Sequence, residues 1–245
     1  MKKSILLIVL GIITVFCICY GTYKHLGGFG RMFKDGGFHI SFDDDDEYDN
    51  EEVSGGKHSF DEKLEKFSSI KIDAAVVGIT IEQGDEFRIE STFNKESLRP
   101  KFSVNGNQLR VVQGARNQHG INMGSQNCRM VITIPSGTRL SSIDIDSNVG
   151  DVRLRELDAE DIDIDLNVGE IDVRNVVFTN IDCNNNVGEI SINPLDNLDD
   201  YDISASTDVG EVRVDGRNYK KSYNSRGNGH KKIKVDTNVG EININ

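Results

Sequence analysis

Tryptophan is missing from this sequence, proline occurs three times in 245 residues, and aromatic residues make up 7% of the chain. Glycine, by contrast, occurs 24 times. That mixture disfavours a helical bundle and suits short strands joined by tight turns. Positive charge is also scarce. Lysine and arginine number 28 against 40 acidic residues, for a formal net charge of -12. So acidic a chain is a poor match for nucleic acid, whose phosphates demand Lys and Arg. Anionic lipid is excluded as a partner too, except through a local basic segment. Four cysteines do not make a disulfide framework, because Cys17 and Cys19 lie inside an apolar N-terminal run. Only Cys128 and Cys183 remain for the folded part.

Enzymatic signatures are lacking as well. His25, His39, His58, His119 and His230 show no metal-ligand spacing. Neither a nucleophile elbow nor a phosphate-binding loop occurs. No catalytic residue is assigned.

The chain divides into three parts. Residues 1–23 hold an uninterrupted apolar run from Ile5 to Tyr20. With its flanks this approaches the ~20 residues that span a bilayer. Cys19-Tyr20-Gly21 is a poor cleavage site, and Phe16 and Ile18 stand where lipoprotein processing wants small residues. The expectation is an uncleaved signal anchor. Lys2 and Lys3 favour a cytoplasmic N-terminus, so the remainder faces outward from the cell membrane as a single-pass protein. Lys24, Arg31 and Lys34 weaken that preference without reversing it. Residues 24–60 read as a glycine-rich and acidic linker. Residues 61–245 form the β-repeat domain.

Five segments of that domain share one signature: 143–151 (IDIDSNVGD), 162–170 (IDIDLNVGE), 181–189 (IDCNNNVGE), 203–211 (ISASTDVGE) and 233–241 (IKVDTNVGE). Self-similarity at such steps signals a stacked array. In the first copy, side chains of one class fall at 143, 145, 147 and 149, then at 152 and 154. Period-2 alternation predicts a half-buried strand. The phase breaks after Val149, which predicts a corner at Gly150, Gly169, Gly188, Gly210 and Gly240. Leu157, Val176 and Leu195 recur at one offset and suggest a third side. A degenerate copy runs from Ile70 to Ile81, and a strand-turn-strand unit spans 102–112 about Asn105-Gly106. Burying six apolar side chains falls well short of the backbone entropy of 19 residues, so no copy stands alone.

Phe67-Ser-Ser-Ile-Lys-Ile-Asp73 and the run VITIPSGTRL at 131–140, leading into the Asn-Val-Gly-Glu units, carry a family resemblance. Over roughly 65–245 the chain resembles the bacterial putative-adhesin family of β-strand repeat domains. The resemblance implies an all-β, stacked β-solenoid or β-prism-like domain following a single N-terminal transmembrane helix. It also implies a place in the cell envelope, and it brings no catalytic motif.

In-register stacking would line up Asp151, Glu170, Glu189, Glu211 and Glu241 about 4.8 Å apart. Asp144, Asp163 and Asp182 would make a second column, and Asp146 with Asp165 a third. One reading is Ca2+ binding, since calcium favours carboxylate oxygens. The other is a solvated acidic face. An EF-hand is excluded, because glycine comes at the seventh position and Arg155 stands where the bidentate Glu belongs. Asn148, Asn167, Asn186, Asp208 and Asn238, each two residues before its glycine, are placed to form a side-chain ladder. Cys183 and Cys128 keep the inward phase and read as buried thiols. The stretch 215–232 is the one basic, aromatic-interleaved segment, with Arg217, Tyr219, Lys220, Lys221, Tyr223 and Arg226. It is either a docking site for a cell-wall polymer, lipid headgroup or membrane protein, or a flexible loop whose charge balances the acidic columns. The functional expectation is a non-catalytic, adhesin-like or envelope-sensing interaction module. The alternatives are an accessory subunit of a membrane signalling complex and, more distantly, a glycan-active enzyme using paired carboxylates.

Overall fold

A computed structural model describes residues 58–114 and 127–245. The expected membrane anchor and nearly all of the linker lie outside the described residues. No helix among those residues is long and apolar enough to cross a membrane.

The first seven strands are β1 (His58–Lys63), β2 (Ser69–Val76), β3 (Gly78–Gly84), β4 (Arg88–Phe93), β5 (Lys101–Asn105), β6 (Gln108–Gln113) and β7 (Cys128–Pro135). The repeats then supply β8 (Arg139–Val149), β9 (Val152–Arg155), β10 (Asp158–Val168), β11 (Ile171–Val187) and β12 (Ile190–Pro194). The last six are β13 (Tyr201–Val209), β14 (Val212–Val214), β15 (Arg217–Asn218), β16 (Ser222–Ser225), β17 (Lys231–Val239) and β18 (Ile242–Ile244). Together they form one 18-stranded mixed sheet, curled so that two halves enclose a single hydrophobic core.

Each repeat contributes one rung, a longer strand in the first half and a shorter one in the second. Alternation is the reason. Ile143, Ile145, Val152 and Leu154 are all buried, and so are their counterparts Ile162, Ile164, Ile171 and Val173. The degenerate copy takes its expected place, with Ile70 paired to Ile143 and Ile79 to Val152. Cys128 and Cys183 are buried free thiols. The Asn105-Gly106 turn joins β5 and β6 as an antiparallel pair.

The corner glycines carry φ of 137°, 145°, 140°, 152° and 157° at positions 150, 169, 188, 210 and 240. These are angles that side-chain-bearing residues rarely adopt. A second corner returns the chain to the first half through Glu156 (φ 54°) and Asn175 (φ 55°).

Three expectations need correction. First, the rungs do not stack in chain order. β11 pairs with β17, and β17 in turn with β13, all parallel. The second half agrees, with β12 on β18 and β18 on β14. The last repeat is therefore inserted between the third and the fourth. A 19-residue step completes one circuit, whereas the longer 188–210 and 210–240 steps let the chain pass one level and return.

Second, there is no third side. Leu157 and Val176 are buried at the second corner, but Leu195 is 65% exposed. Pro194 stands at the offset where Glu156 and Asn175 take positive φ. Its ring fixes φ near -65°, so that corner cannot form and the chain leaves the circuit. Third, the corner valines are not interior. Val149, Val168, Val187 and Val209 are 38%, 43%, 37% and 57% exposed. They sit at the fold line, where no facing strand among the described residues covers them.

Both ends of the stack are closed by antiparallel strands. β5 covers β6 and β1 covers β4 at one end, while β16 covers β13 and β15 covers β14 at the other. Such caps shield edges that would otherwise template pairing with another chain. The basic stretch is thus not a flexible loop, since it builds the distal cap.

Candidate functional site

Three carboxylate rows run along the stack, in the spatial order of the rungs. Across the first half, Lys71, Asp144, Asp163, Asp182 and Lys234 occupy one register position. Lys71 Nζ is hydrogen-bonded to Asp144, and Lys234 Nζ approaches Asp182 at 2.9 Å. The row is therefore neutralised at both ends. Asp163, in the middle, has its pKa raised by partial burial and by the charges of Asp165, Asp182 and Asp144.

The next position holds Asp73, Asp146, Asp165, Asn184, Asp236 and Ser206. Asn184 donates to Asp165 at 3.0 Å, and Ser206 donates to Asp236. Along the glycine corner the order is Asp151, Glu170, Glu189, Glu241, Glu211. Arg153 contacts Asp151 at 3.3 Å, Asn243 donates to Glu189 at 2.7 Å, and Arg213 bridges Glu241 at 3.0 Å and Glu211 at 2.9 Å. Glu170 lies between these groups, and partial burial followed by the charges of Asp151, Asp172 and Glu189 raises its pKa.

This chemistry suits a screened acidic face better than a cation cage. The carboxylates lie side by side along the stack, and no group of three or more acidic, His or Cys side chains converges to hold a metal among the described residues. Calcium ligation needs six to eight oxygens around one point.

The ladder forms among the four asparagines, while Asp208, beside Asn238 in register, makes no side-chain bond to it. Asn167 donates to Asn148 at 2.8 Å, Asn186 to Asn167 at 2.6 Å and Asn238 to Asn186 at 2.8 Å. Two features escaped the sequence. Asp172 is 3% exposed, and it is held by Arg155 Nη2 at 2.5 Å and Arg174 Nε at 2.9 Å. The two arginines at one offset, 155 and 174, were its only signal. A shallow groove of about 450 Å³ lies at the second corner, lined by Ile134, Pro135, Glu156, Leu157, Asn175 and Leu195 among others. Pro194 at the corner offset was its only signal in the sequence.

The structure brings the basic residues together in the distal cap. Arg217 lies in β15 and Tyr223 in β16, with the rings of Tyr219 and Tyr223 4.4 Å apart. Lys221 Nζ donates to the Asp208 carbonyl. Arg217, Lys220, Arg226 and Lys232 form no ion pair with another described residue. Arg226 and Lys232 share a depression of about 340 Å³ with Asp202, Ser204 and Asn224.

Comparison with known proteins now bears on the assignment. The family model described as Toastrack DUF4097 matches twice, over residues 67–196 and 136–245. The chain belongs to the toastrack family. The overlapping matches cover every rung, including the inserted last one, and leave only β1 outside. No curated protein matches the chain. Among solved structures, the toastrack stack is similar to a "putative cell adhesion protein" from Clostridium sporogenes. That match has a TM-score of 0.61 at 17% identity, covering 77% of this chain and 99% of that one. A "putative adhesin" from Bacteroides fragilis aligns at 15% identity over 78% of this chain and 97% of its own, with a TM-score of 0.35. At these identities the likeness concerns the fold alone.

Proposed function

We propose that the toastrack stack is a non-catalytic interaction module, held outside the cell membrane by the segment 1–23, that binds anionic envelope polymer through its distal cap. In this reading the domain is a β-solenoid-like spacer following a transmembrane helix, and the cap is its working end. The single observation that carries it is a set of cations left unpaired at the end of an acidic stack, in the one segment that also interleaves aromatic rings. In a chain of net charge -12, Arg217, Lys220 and Arg226 in the β15–β16 cap, with Lys232 on the rung behind it, stand without ion pairs to described residues, as Lys66, Lys101, Arg110 and Arg129 do at the opposite end. A polyanion would meet those cations while the acidic rows repel it from the sides of the stack, which fixes the mode of approach. The resemblance to a protein described as adhesive is consistent with such a role. Catalysis by the carboxylate rows has less support, because most of these groups are occupied by Lys, Arg, Asn or Ser partners.

The test uses the full chain in detergent or nanodiscs, with poly(glycerol phosphate) and a neutral glycan as probes. Binding to the phosphate polymer should weaken steeply with salt. It should fall at least tenfold in the variant with Arg217, Lys220, Arg226 and Lys232 all changed to Ala. Unchanged binding by that variant, or equal binding of the neutral glycan, defeats the reading. Recovery of a membrane protein alone from envelope extracts would favour the accessory-subunit role, and release of reducing sugar would favour the enzyme.

A further inference from the structure

The corner valines, four of them exposed and Val76 and Val239 half-buried, are one continuous feature. Register places Val76 beside Val149, then Val168, Val187, Val239 and Val209, one per rung. Six rungs at ~4.8 Å make a spine about 24 Å long. Soluble surfaces rarely leave so ordered an apolar strip without a use. Every rung crosses the corner in the same direction. The row of Asn148, Asn167, Asn186 and Asn238, ending in Asp208, therefore lies on one side of the spine. The row of Asp151, Glu170, Glu189, Glu241 and Glu211 lies on the other.

We propose that this spine is where a second copy of the chain docks, side by side and parallel, about a two-fold axis running along the stack. Three observations select that occupant. An identical copy carries the same rise per rung, so its valines meet these valines without losing step. The two-fold axis also sets the amide row of each copy opposite the carboxylate row of the other on four rungs, with Asp208 facing Glu211 only on the last. Asn167, Asn186 and Asn238 each spend one N–H on a neighbour, at 2.6 to 2.8 Å, and keep a second for a carboxylate, while Asn148 only accepts within the ladder. An antiparallel pair would instead face carboxylate row with carboxylate row, at a repulsive distance. Partial burial and the charges of Asp151, Asp172 and Glu189 already raise the pKa of Glu170, so the acidic row gains from an added donor. The strip is narrow beside the ~800 Å² per partner of a standard interface, so the dimer is weak and concentration-dependent.

The experiment has two arms, both on the full chain in detergent. Sedimentation equilibrium up to about 1 mM protein should show monomer–dimer exchange. Val168→Asp with Val187→Asp should weaken it at least tenfold while leaving the thermal midpoint of the monomer nearly unchanged, since both side chains are about two-fifths exposed. In the second arm, Val149→Cys, Val187→Cys and Val209→Cys are oxidised separately in a chain with Cys17→Ser and Cys19→Ser. The remaining thiols stay silent, because burial pushes Cys128 up to about 11 and raises Cys183 further still. A parallel spine predicts that all three variants cross-link to their own counterparts. Cross-linking only at 187 would mean an antiparallel pair and overturn the arrangement. So would a monomer throughout the concentration range, or a dimer unaffected by the two aspartates. If the thiol at 168 in Val168→Cys is shielded in monomeric full chain and freed on removing residues 1–57, the chain covers its own spine and the proposal fails.

Discussion

Substituting Gly169 by alanine tests the stacking geometry at its tightest point. A Cβ there would stand 1.9 Å from the carbonyl oxygen of Gly150 on the neighbouring rung. Ordinary carbon–oxygen contact needs about 3.3 Å, so the rungs must part locally by about 1.4 Å. Two backbone bonds flank the contact, Gly150 N–H to the Val168 carbonyl at 3.1 Å and Val152 N–H to the Glu170 carbonyl at 2.8 Å. Neither survives such a displacement. Losing both costs about 2–4 kcal/mol, and holding alanine at positive φ adds about 1 kcal/mol. The expected loss of about 3–5 kcal/mol is a large share of a domain's stability. Gly137 is the control. Its φ is 76°, but a Cβ would meet nothing within 4 Å. Gly137→Ala should therefore cost only about 1 kcal/mol. Urea unfolding with linear extrapolation at constant slope measures both. Should Gly169→Ala prove no more costly than Gly137→Ala, the close glycine column is wrong.

Further predictions concern the order of the rungs and the charged rows. Deleting residues 231–245 removes β17 and β18 from between two rungs, so amide protection in β13 should drop to that of unfolded chain. Retained protection would show that β13 docks directly on β11. Asp163→Asn should stabilise the fold at neutral pH by only a few tenths of a kcal/mol, because the carboxylate is just partly buried and solvent screens it. The folded state holds this proton at higher pH than the unfolded chain, so the aspartate's unfavourable contribution is present at neutral pH and fades as pH falls. Melts at pH 7 and pH 4 should show that advantage shrinking, and a constant difference would contradict it. Asp172→Ala strands the Arg155 guanidinium and should cost about 2–4 kcal/mol. Changing both Asp172 and Arg155 to Leu should recover most of the loss in the same urea assay, and no recovery would count against the ion pair as its cause.

Much of the site was legible from sequence because it depends on local regularities. The amide ladder needs only a constant offset from each glycine and an in-register stack, and both hold. The carboxylate rows were equally predictable in membership. Their neutralisation was not, since Lys71 and Lys234 lie 73 and 52 residues from the aspartates they contact. Asp172 was hidden because burial on an outer face requires two arginines to fold over it. The basic stretch was visible as composition, but its role as a strand-built cap depends on the edge that it covers.

The amino-acid sequence by itself determined the rung. A period of two set which side chains face inward, and the glycine after each valine set where the chain must turn. It did not determine which rung lies on which, because all copies present the same inward face and any two would pair acceptably. Only the tertiary structure decided that order. Placing the last repeat beside the third sets Lys234 next to Asp182 at 2.9 Å, where chain-order stacking would have put Ser204. Long-range charge pairing and the proline-broken circuit at Pro194 chose among arrangements that local physics leaves equal.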